Sequence, residues 1–195
     1  SLLDSIEQEA LRDRVPIIRR ETAALLRTLV AALRPSRILE IGTAVGYSSL
    51  LMCRVMPEDC RITTIEKYEK RIPEALEHFK KAGEEGRITL LAGDADDLRA
   101  GLKGQLFDLV FMDAAKGQYL HWLPMILELM PDGGVLISDN VLQDGDIVES
   151  RFAVERRNRT IHSRMRRYLY ELKHRKGLET AIIPIGDGGA VSTKY

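Results

Sequence analysis

Short apolar runs alternate with longer amphipathic stretches from residue 37 onward. Near-continuous apolar runs are typical of strands that are buried on both faces, whereas apolar residues at helical spacing are typical of the helices that cover such a sheet. The runs predict strands at residues 37–42, 61–66, 87–94, 107–113 and 133–139, and the stretches predict helices at 46–56, 69–83 and 116–130. This alternation indicates an α/β fold with a mostly parallel sheet.

The two ends of the chain depart from this alternation. Residues 179–186 and 189–195, joined by an Asp-Gly turn, predict a closing hairpin, and Pro184 makes its first strand an edge or bulged strand. Residues 1–34 contain one or two predicted leading helices, broken at Pro16. No repeat or linker divides the chain, so we expect residues 1–195 to form a single domain.

Composition narrows the class of protein only slightly. The 29 basic and 29 acidic residues cancel, so the net charge does not select a partner. Cys53 and Cys60 lack the spacing of a redox or zinc motif, which favours reduced thiols. No apolar run approaches the ~20 residues that span a bilayer, and no leader peptide is visible. We therefore expect a cytoplasmic protein without a membrane partner.

The turn after the first predicted strand carries a candidate cofactor site. It contains Gly42 and Gly46, but Ala44 replaces the glycine that lets a dinucleotide pyrophosphate approach the backbone. Glu66, at the end of the second strand, is placed to accept hydrogen bonds from two ribose hydroxyls. A nucleoside without a pyrophosphate indicates S-adenosylmethionine. Alternatively, the glycines only make a tight turn and Glu66 is a solvated strand end.

Oxygen ligands follow the fourth and fifth predicted strands. Asp113 ends the fourth, and Asp139 and Asn140 end the fifth, its expected neighbour. Hard oxygen donors of this kind suit Mg²⁺, Mn²⁺ or Ca²⁺, and none of the four histidines has the spacing of a zinc ligand. The alternative is that Asp113 caps the following helix and the Ser-Asp-Asn sequence is an ordinary turn.

Three motifs in order, EIGTAVGYSSL, DAAKGQY and SDNVLQDGDI, resemble those of the cation-dependent O-methyltransferases, which include the catechol and caffeoyl-coenzyme A enzymes. The resemblance implies a Rossmann-like class I methyltransferase fold, with a seven-stranded, mostly parallel sheet and a C-terminal antiparallel hairpin. It implies a metal site at Asp113, Asp139 and Asn140. The predicted S-adenosylmethionine residues are Glu40, Gly42, Thr43, Gly46, Tyr47, Ser48, Glu66, Asp94, Ala95 and Asp113.

The resemblance also implies the catalytic residues. Asp113 would contact both the metal and the cofactor, and Lys116 would act as the base or as the electrostatic partner of the substrate oxygen. A cation that chelates two vicinal substrate oxygens favours ionisation of the hydroxyl and fixes its direction of attack. Taken alone, Lys116 could equally be a solvated lysine at a helix start. Ala115 stands where the plant-type enzymes have a second acid, so the contacts of that acid are not carried over.

A basic segment bears on the choice of acceptor. Residues 151–176 form a predicted basic helical insertion with ten basic and two acidic residues. Interleaved Phe152, Tyr168 and Tyr170 suit an RNA phosphate backbone with an unstacked base. The predicted RNA-binding residues are Arg156, Arg157, Arg159 and Arg164. The alternative is a solvated helix face or a dimer contact.

This segment, together with TAIIPIGDGGAVSTK, resembles the bacterial tRNA 5-hydroxyuridine methyltransferases, which make 5-methoxyuridine at the anticodon wobble position. That resemblance implies the tRNA anticodon loop as the partner, and the homodimers of related enzymes imply a homodimer. Two other hypotheses stay open. One is a small-molecule O-methyltransferase of the catechol or caffeoyl-coenzyme A type, and the other is a non-catalytic nucleotide- or RNA-binding module.

Overall fold

The computed structural model describes residues 1–142, 147 and 155–195. Its strands are β1 (Arg37–Ile41), β2 (Arg61–Glu66), β3 (Ile88–Ala92), β4 (Leu109–Met112), β5 (Val135–Ser138), β6 (Leu178–Ile183) and β7 (Gly189–Lys194). They form one sheet in the order β3-β2-β1-β4-β5-β7-β6. Strands β1 to β5 are parallel, and β7 is antiparallel to both of its neighbours, β5 and β6. The predicted Rossmann-like sheet and its antiparallel hairpin are therefore confirmed.

Helices cover both faces of this sheet. They are α1 (Leu2–Arg12), α2 (Arg20–Leu33), α3 (Tyr47–Cys53), α4 (Ile72–Ala82), α5 (Ala95–Leu102), α6 (Tyr119–Glu128) and α7 (Arg159–His174). One hydrophobic cluster joins α1 to α4 with one face of the sheet, and a second joins α5 to α7 with the other. Within the described ranges, no helix combines the length and apolar character needed to cross a bilayer.

Proline and glycine set several element boundaries where the sequence predicted them. The leading segment breaks around Pro16, between α1 and α2. Helix α4 ends at Gly83, whose φ of 72° is the left-handed conformation of a glycine cap. Strand β6 lies at the edge of the sheet, as predicted. It ends at Ile183 and not at the predicted residue 186, because Pro184 cannot donate a hydrogen bond to a neighbouring strand.

Helix α5 was not predicted, and the third predicted strand was too long. The strand ends at Ala92, and Asp94 instead caps α5 by accepting a hydrogen bond from the Asp96 backbone N–H at 3.1 Å. Only Ala95 and Leu102 of α5 are buried, so its apolar periodicity is too weak to indicate a helix. The helix predicted from residue 116 begins only at Tyr119, after a 3₁₀ turn at Lys116–Gln118.

The basic insertion is described in part. Residues 156–158 form a 3₁₀ turn and lead directly into α7. Residues 151–154 lie outside the described residues. Helix α7 buries His162, Met165, Tyr168, Leu169 and Leu172, which are spaced along one side of the helix. Its basic residues are therefore presented by the other sides.

Candidate active site

A cleft of about 440 Å³ opens at the carboxyl ends of β1, β2 and β4. This is the edge of a parallel sheet at which α/β folds bind ligands. A larger groove of about 630 Å³ between α5 and α6 contains none of the predicted site residues. Among the residues that line the cleft are five of the predicted cofactor residues: Gly42, Glu66, Asp94, Ala95 and Asp113.

The turn after β1 lies directly against the end of β4. Gly42 has a φ of 106°, and a Cβ atom added there would lie 1.9 Å from the carbonyl oxygen of Asp113. Gly46 has a φ of 81°, caps α3, and faces the ring of Phe79. Both positions require glycine, because a side chain would be strained and would meet a neighbouring atom. The turn thus forms one wall of the cleft by close backbone approach.

Glu66 is held in the cleft by two backbone groups. Its carboxylate oxygens accept hydrogen bonds from the N–H groups of Ala44 and Tyr68, each at 2.7 Å. A carboxylate has about four lone-pair directions, so acceptor capacity remains for a ligand hydroxyl. Lys67 and Asp94 form an ion pair at 2.7 Å on the rim, and this pair and a hydrogen bond from the Asp96 backbone lower the pKa of Asp94.

A buried polar network supports the turn from below. The carboxylate of fully buried Glu40 accepts hydrogen bonds from Ser48 and Thr64, each at 2.5 Å, and from Ser49. Thr43 in turn lies 2.6 Å from Thr64, hydroxyl to hydroxyl. Burial raises the pKa of Glu40, and the three hydroxyl groups partly offset that effect. The network ties β1 and β2 to the first turn of α3.

Several predicted cofactor residues therefore do not reach this cleft with their side chains. Glu40, Thr43 and Ser48 are buried under the turn because their oxygens hydrogen-bond to one another or to Thr64. Tyr47 lies in the hydrophobic cluster shared with α1 and α2. These residues shape the site from behind, and any direct contact with a cofactor stays a prediction.

The predicted metal ligands meet at the ends of β4 and β5, as expected from their strand positions. The hydroxyl of Tyr119 joins the two ends: it lies 3.1 Å from the carbonyl oxygen of Met112 and 3.3 Å from that of Asp139. The same hydroxyl accepts a hydrogen bond from the Ala114 N–H at 3.3 Å. One buried side chain therefore fixes the strand ends that carry Asp113 and Asp139.

The two carboxyl groups stand in an electrostatically unfavourable position. Burial, followed by the charge of Asp139, raises the pKa of Asp113 to about 7. Burial is also the main cause of the raised pKa of Asp139, where Asp187 adds repulsion. Lys116 opposes both shifts through its positive charge. Acidic side chains that repel one another in a partly buried site are well suited to a bound cation.

Two further contacts orient the other ligand atoms. The amide nitrogen of Asn140 donates to Oδ2 of Asp187 at 3.0 Å, so its amide oxygen is left available to a cation. Asp187 also forms an ion pair with Arg19. The hydroxyl of Thr22 donates to Oδ1 of Asp139 at 3.3 Å. Thr22, Arg19 and Asp187 are distant in sequence from the predicted metal ligands, and the sequence analysis did not assign them to this site.

The donor set fits a hard divalent cation. Two carboxylates and one amide oxygen are the ligand types that Mg²⁺, Mn²⁺ and Ca²⁺ accept, with positions left for water or substrate. No group of three or more His, Cys, Asp or Glu side chains in the described part of the chain could hold a metal, so the predicted site depends on Asn140 as its third ligand.

Lys116 lies between the ends of β4 and β5, which carry the predicted metal ligands, and a basic groove. The groove has a volume of about 500 Å³. Arg164 donates from Nη1 to the carbonyl oxygen of Gly117 at 3.3 Å, which joins α7 to the residue after Lys116. Arg156 and Arg159 precede the groove on the 3₁₀ turn and at the start of α7, and the Arg157 side chain lies outside the described residues. The groove is lined by Gly117, Gln118, Leu120, His121, Ser163, Arg164 and Arg167.

Trp122 is a cleft residue that the sequence analysis missed. It lies on α6, lines the cleft and is only 5% exposed. Its indole nitrogen has no hydrogen-bond partner among the described residues. Trp122 is the only tryptophan in the sequence, but its helical spacing made it read as an ordinary core residue.

Known proteins with similar sequences include plant and bacterial methyltransferases. The sequence profile of the O-methyltransferase family matches residues 2–195. Tapetum-specific methyltransferase 1 of Arabidopsis thaliana is 32% identical over 172 residues, which cover 86% of this chain and 73% of that protein. A catechol O-methyltransferase of Niastella koreensis is 31% identical over 127 residues, which cover 64% of this chain and 58% of that protein.

Solved structures show the same fold over the whole chain. A Staphylococcus aureus protein assigned provisionally as a caffeoyl-CoA O-methyltransferase has 30% identity and a TM-score of 0.93, with coverage of 100% of this chain and 93% of that one. The O-methyltransferase TomG of Streptomyces achromogenes, solved in complex with S-adenosylmethionine, has 26% identity and a TM-score of 0.87, with coverage of 100% and 89%.

Proposed function

The chain belongs to the O-methyltransferase family and is an S-adenosylmethionine-dependent O-methyltransferase of the catechol and caffeoyl-CoA type, and we propose that its acceptor is 5-hydroxyuridine at the wobble position of tRNA. The observation that carries this proposal is the basic groove, which begins at the residue after Lys116. The product would be 5-methoxyuridine.

The cleft suits the nucleoside part of the cofactor. S-adenosylmethionine, when bound, supplies an electrophilic methyl group. Glu66 retains acceptor capacity for ribose hydroxyls because only two of its lone-pair directions are used by backbone N–H groups. Trp122 and Ala114 give the cleft an apolar wall, and Gly42 lets the turn after β1 lie directly against the end of β4.

The rim suits an acceptor with two neighbouring oxygens. A divalent cation held by Asp113, Asp139 and Asn140 would supply the positive charge that favours an ionised acceptor hydroxyl. The Nζ atom of Lys116 would accept the hydroxyl proton in its neutral form, or stabilise the resulting oxyanion in its protonated form. Lys116 can serve there because its charge acts on both Asp113 and Asp139. In 5-hydroxyuridine the C5 hydroxyl lies beside the C4 carbonyl oxygen, so this base meets the requirement.

The basic groove supports a polyanionic acceptor. None of the seven residues that line it is acidic, and it contains Arg164, Arg167 and His121. Arginine binds phosphate through a planar array of N–H donors, and a target in a loop is unstacked at low cost. A catechol carries no phosphate, so the rim alone would serve a small phenol.

A small-molecule catechol or caffeoyl-CoA acceptor is the second candidate, because the similar proteins include enzymes with those names. A direct comparison separates the two. Purified protein is given S-adenosylmethionine, Mg²⁺ and, in parallel, an anticodon stem-loop that contains 5-hydroxyuridine, the free nucleoside, a catechol and caffeoyl-CoA. We expect kcat/KM to be highest for the stem-loop and to fall as salt rises. A higher kcat/KM for catechol or caffeoyl-CoA would favour the second candidate.

The metal requirement is tested on the same reaction. The Asp139→Asn variant should lose at least about a hundredfold in kcat/KM, as expected when a ligand of a catalytic ion is removed, and excess EDTA should abolish turnover of the wild type. Asp132→Asn is the matched control, because Asp132 is 83% exposed and lies in the turn before β5. Full activity of Asp139→Asn in EDTA would contradict the proposed metal site. The cytoplasmic location and the homodimer stay predictions.

A further inference from the structure

The outer side of α7 continues the basic groove along the surface. Ser163, Arg167, Tyr170 and His174 follow one another at intervals of three or four residues, which places them on one side of the helix. Ser163 and Arg167 line the groove, whereas Tyr170 and His174 lie beyond it. We call these four residues the α7 stripe.

The far part of the α7 stripe is an exposed pair of aromatic rings. Tyr170 is 60% exposed, although tyrosine normally buries most of its ring. Its ring stacks on His174 with centroids 4.0 Å apart and planes 18° from parallel. The histidine covers one face of the phenol ring and holds its orientation. The other face of Tyr170 is thus available to a flat ligand.

The spacing of the α7 stripe matches a nucleic-acid strand. Tyr170 is one helical turn beyond Arg167, a distance of about 5 Å along the helix axis. Arg164 and Arg167 lie at the groove, so a phosphate bound there would have its neighbouring base within reach of Tyr170. A single-stranded RNA presents this alternation of phosphate and unstacked base.

We propose that the groove beside Gly117 binds a backbone phosphate of the acceptor RNA, and that Tyr170 stacks on the base of a nucleotide flanking the one that is methylated. This inference rests on the proposed tRNA function and adds to it the path of the RNA. The methylated base occupies the rim at Lys116, the adjoining phosphate lies against Arg164 and Arg167, and the flanking base lies on the Tyr170–His174 pair.

The buried side of α7 is held in place by specific contacts with the sheet and with α6. Tyr168 is fully buried, and its hydroxyl lies 2.6 Å from that of Ser138 at the end of β5. Its ring also contacts Tyr119 edge to face, with centroids 5.5 Å apart. Because Tyr119 joins β4 to the Asp139 backbone, the buried side of α7 is fixed to the strand ends that carry the predicted metal ligands. These contacts hold the backbone of α7, which carries Tyr170, against the ends of β4 and β5.

The inference is tested with the 5-hydroxyuridine stem-loop and free 5-hydroxyuridine as parallel acceptors. We expect Tyr170→Ala to raise the KM for the stem-loop roughly tenfold while kcat and turnover of the free nucleoside stay unchanged. Tyr170→Phe keeps the ring and should behave as wild type. Arg167→Glu should weaken stem-loop binding and lower the salt slope of log K by about one.

Matched controls are exposed residues outside the α7 stripe. Lys80→Glu makes the same charge change on exposed Lys80 of α4, and we expect it to leave KM for the stem-loop within twofold of wild type. Tyr195→Ala removes an exposed tyrosine, 72% accessible, that is not part of the α7 stripe. Thermal unfolding of each variant shows whether it is folded.

The outcomes separate this inference from the proposed function. If the stem-loop is methylated but Tyr170→Ala and Arg167→Glu keep the wild-type KM, the path along α7 is wrong and the tRNA function stands. If the stem-loop is not methylated while catechol is, both are wrong. If these variants lose turnover of caffeoyl-CoA but not of the stem-loop, the occupant of the α7 stripe is a coenzyme A ester and the RNA assignment is overturned.

Discussion

The hydroxyl of Thr22 lies 3.3 Å from Oδ1 of Asp139, although 117 residues separate them in sequence. Thr22 belongs to α2, so a leading helix contacts one of the predicted metal ligands directly. Arg19, which precedes α2, makes a second connection through its ion pair with Asp187. The leading segment is therefore part of the site and not only a cover for the sheet.

Replacing Thr22 with valine should weaken metal binding while keeping the shape of the side chain. The valine cannot donate to Asp139, and loss of a hydrogen bond behind a metal ligand typically lowers metal affinity by roughly 10- to 100-fold. Titration calorimetry with Mn²⁺ measures this directly. Thr22→Ser keeps the hydroxyl and should bind Mn²⁺ nearly as wild type does; equal affinities of the valine variant and wild type would show that the contact is unimportant.

The metal-free protein should lose stability as the pH rises towards neutrality, because of Asp113. Its pKa is about 7 in the folded protein and roughly 4 in the unfolded chain, so the folded state binds more protons between those values. The free energy of unfolding contributed by Asp113 is then greatest at low pH and falls until about pH 7. A cation that binds the ionised Asp113 carboxylate should offset this loss of stability.

This pH dependence is measured as a difference between two proteins, since other groups titrate in the same range. In EDTA, the Tm of wild type minus that of Asp113→Asn should decrease from about pH 4 to pH 7, and saturating Mg²⁺ should raise the wild-type Tm most at the upper end. A difference that grows with pH in EDTA would contradict the raised pKa.

The turn after β1 should tolerate no side chain at Gly42. Gly42→Ala places a Cβ 1.9 Å from the Asp113 carbonyl oxygen at a φ of 106°, so we expect it to lower the free energy of unfolding by ~3 kcal/mol or more. Gly83→Ala is the control, because Gly83 also has a positive φ but has no atom within 4 Å of an added Cβ. It should cost only about 1 kcal/mol.

Urea denaturation measures the free energy of unfolding of both variants. Gly83→Ala introduces backbone strain alone, whereas Gly42→Ala introduces backbone strain and a clash with Asp113. If both lose the same free energy of unfolding, the close approach of Gly42 to Asp113 has no energetic weight, and the proposed wall of the cleft would need revision.

Trp122 offers a direct signal for cofactor binding. Because it is the only tryptophan and lines the cleft, S-adenosylhomocysteine should change its fluorescence intensity or emission maximum with a saturable isotherm. Trp122→Phe should remove the signal and lower the affinity severalfold, since the smaller ring buries less apolar surface. Unchanged emission, with calorimetry showing that the ligand is bound, would place the cofactor away from Trp122.

Local patterns predicted the sheet well because each strand carries its own apolar signal. The order of β4 and β5, the edge position of β6 and the Gly83 cap followed from run length, proline and glycine. Helix α5 was missed because its burial is slight: its N-terminal signal, the Asp94 cap, was instead read as a strand end. The error arose because the apolar residues of α5 are too few to show a helical spacing.

The positions of candidate site residues were predictable where a polar side chain comes directly after a strand. The sequence predicted that Asp113, Asp139 and Asn140 lie near one another, because parallel strands bring their carboxyl ends together. Their role as metal ligands stays a prediction. Thr22 and Asp187 were not found, because their partners are far away in sequence and a hydroxyl or acid in a helix or turn carries no signal of its own. Glu40 was assigned to the cofactor by motif, whereas its burial under three hydroxyl groups depends on tertiary packing.

The buried Tyr119 hydroxyl has a consequence for the choice of ion. Because it is anchored to the ends of both β4 and β5, it limits how far the backbones that carry Asp113 and Asp139 can separate. Mg²⁺ prefers ligand distances of about 2.1 Å and Ca²⁺ about 2.4 Å. We therefore expect Tyr119 to influence which cation the predicted metal site prefers, and Tyr119→Phe to weaken that preference.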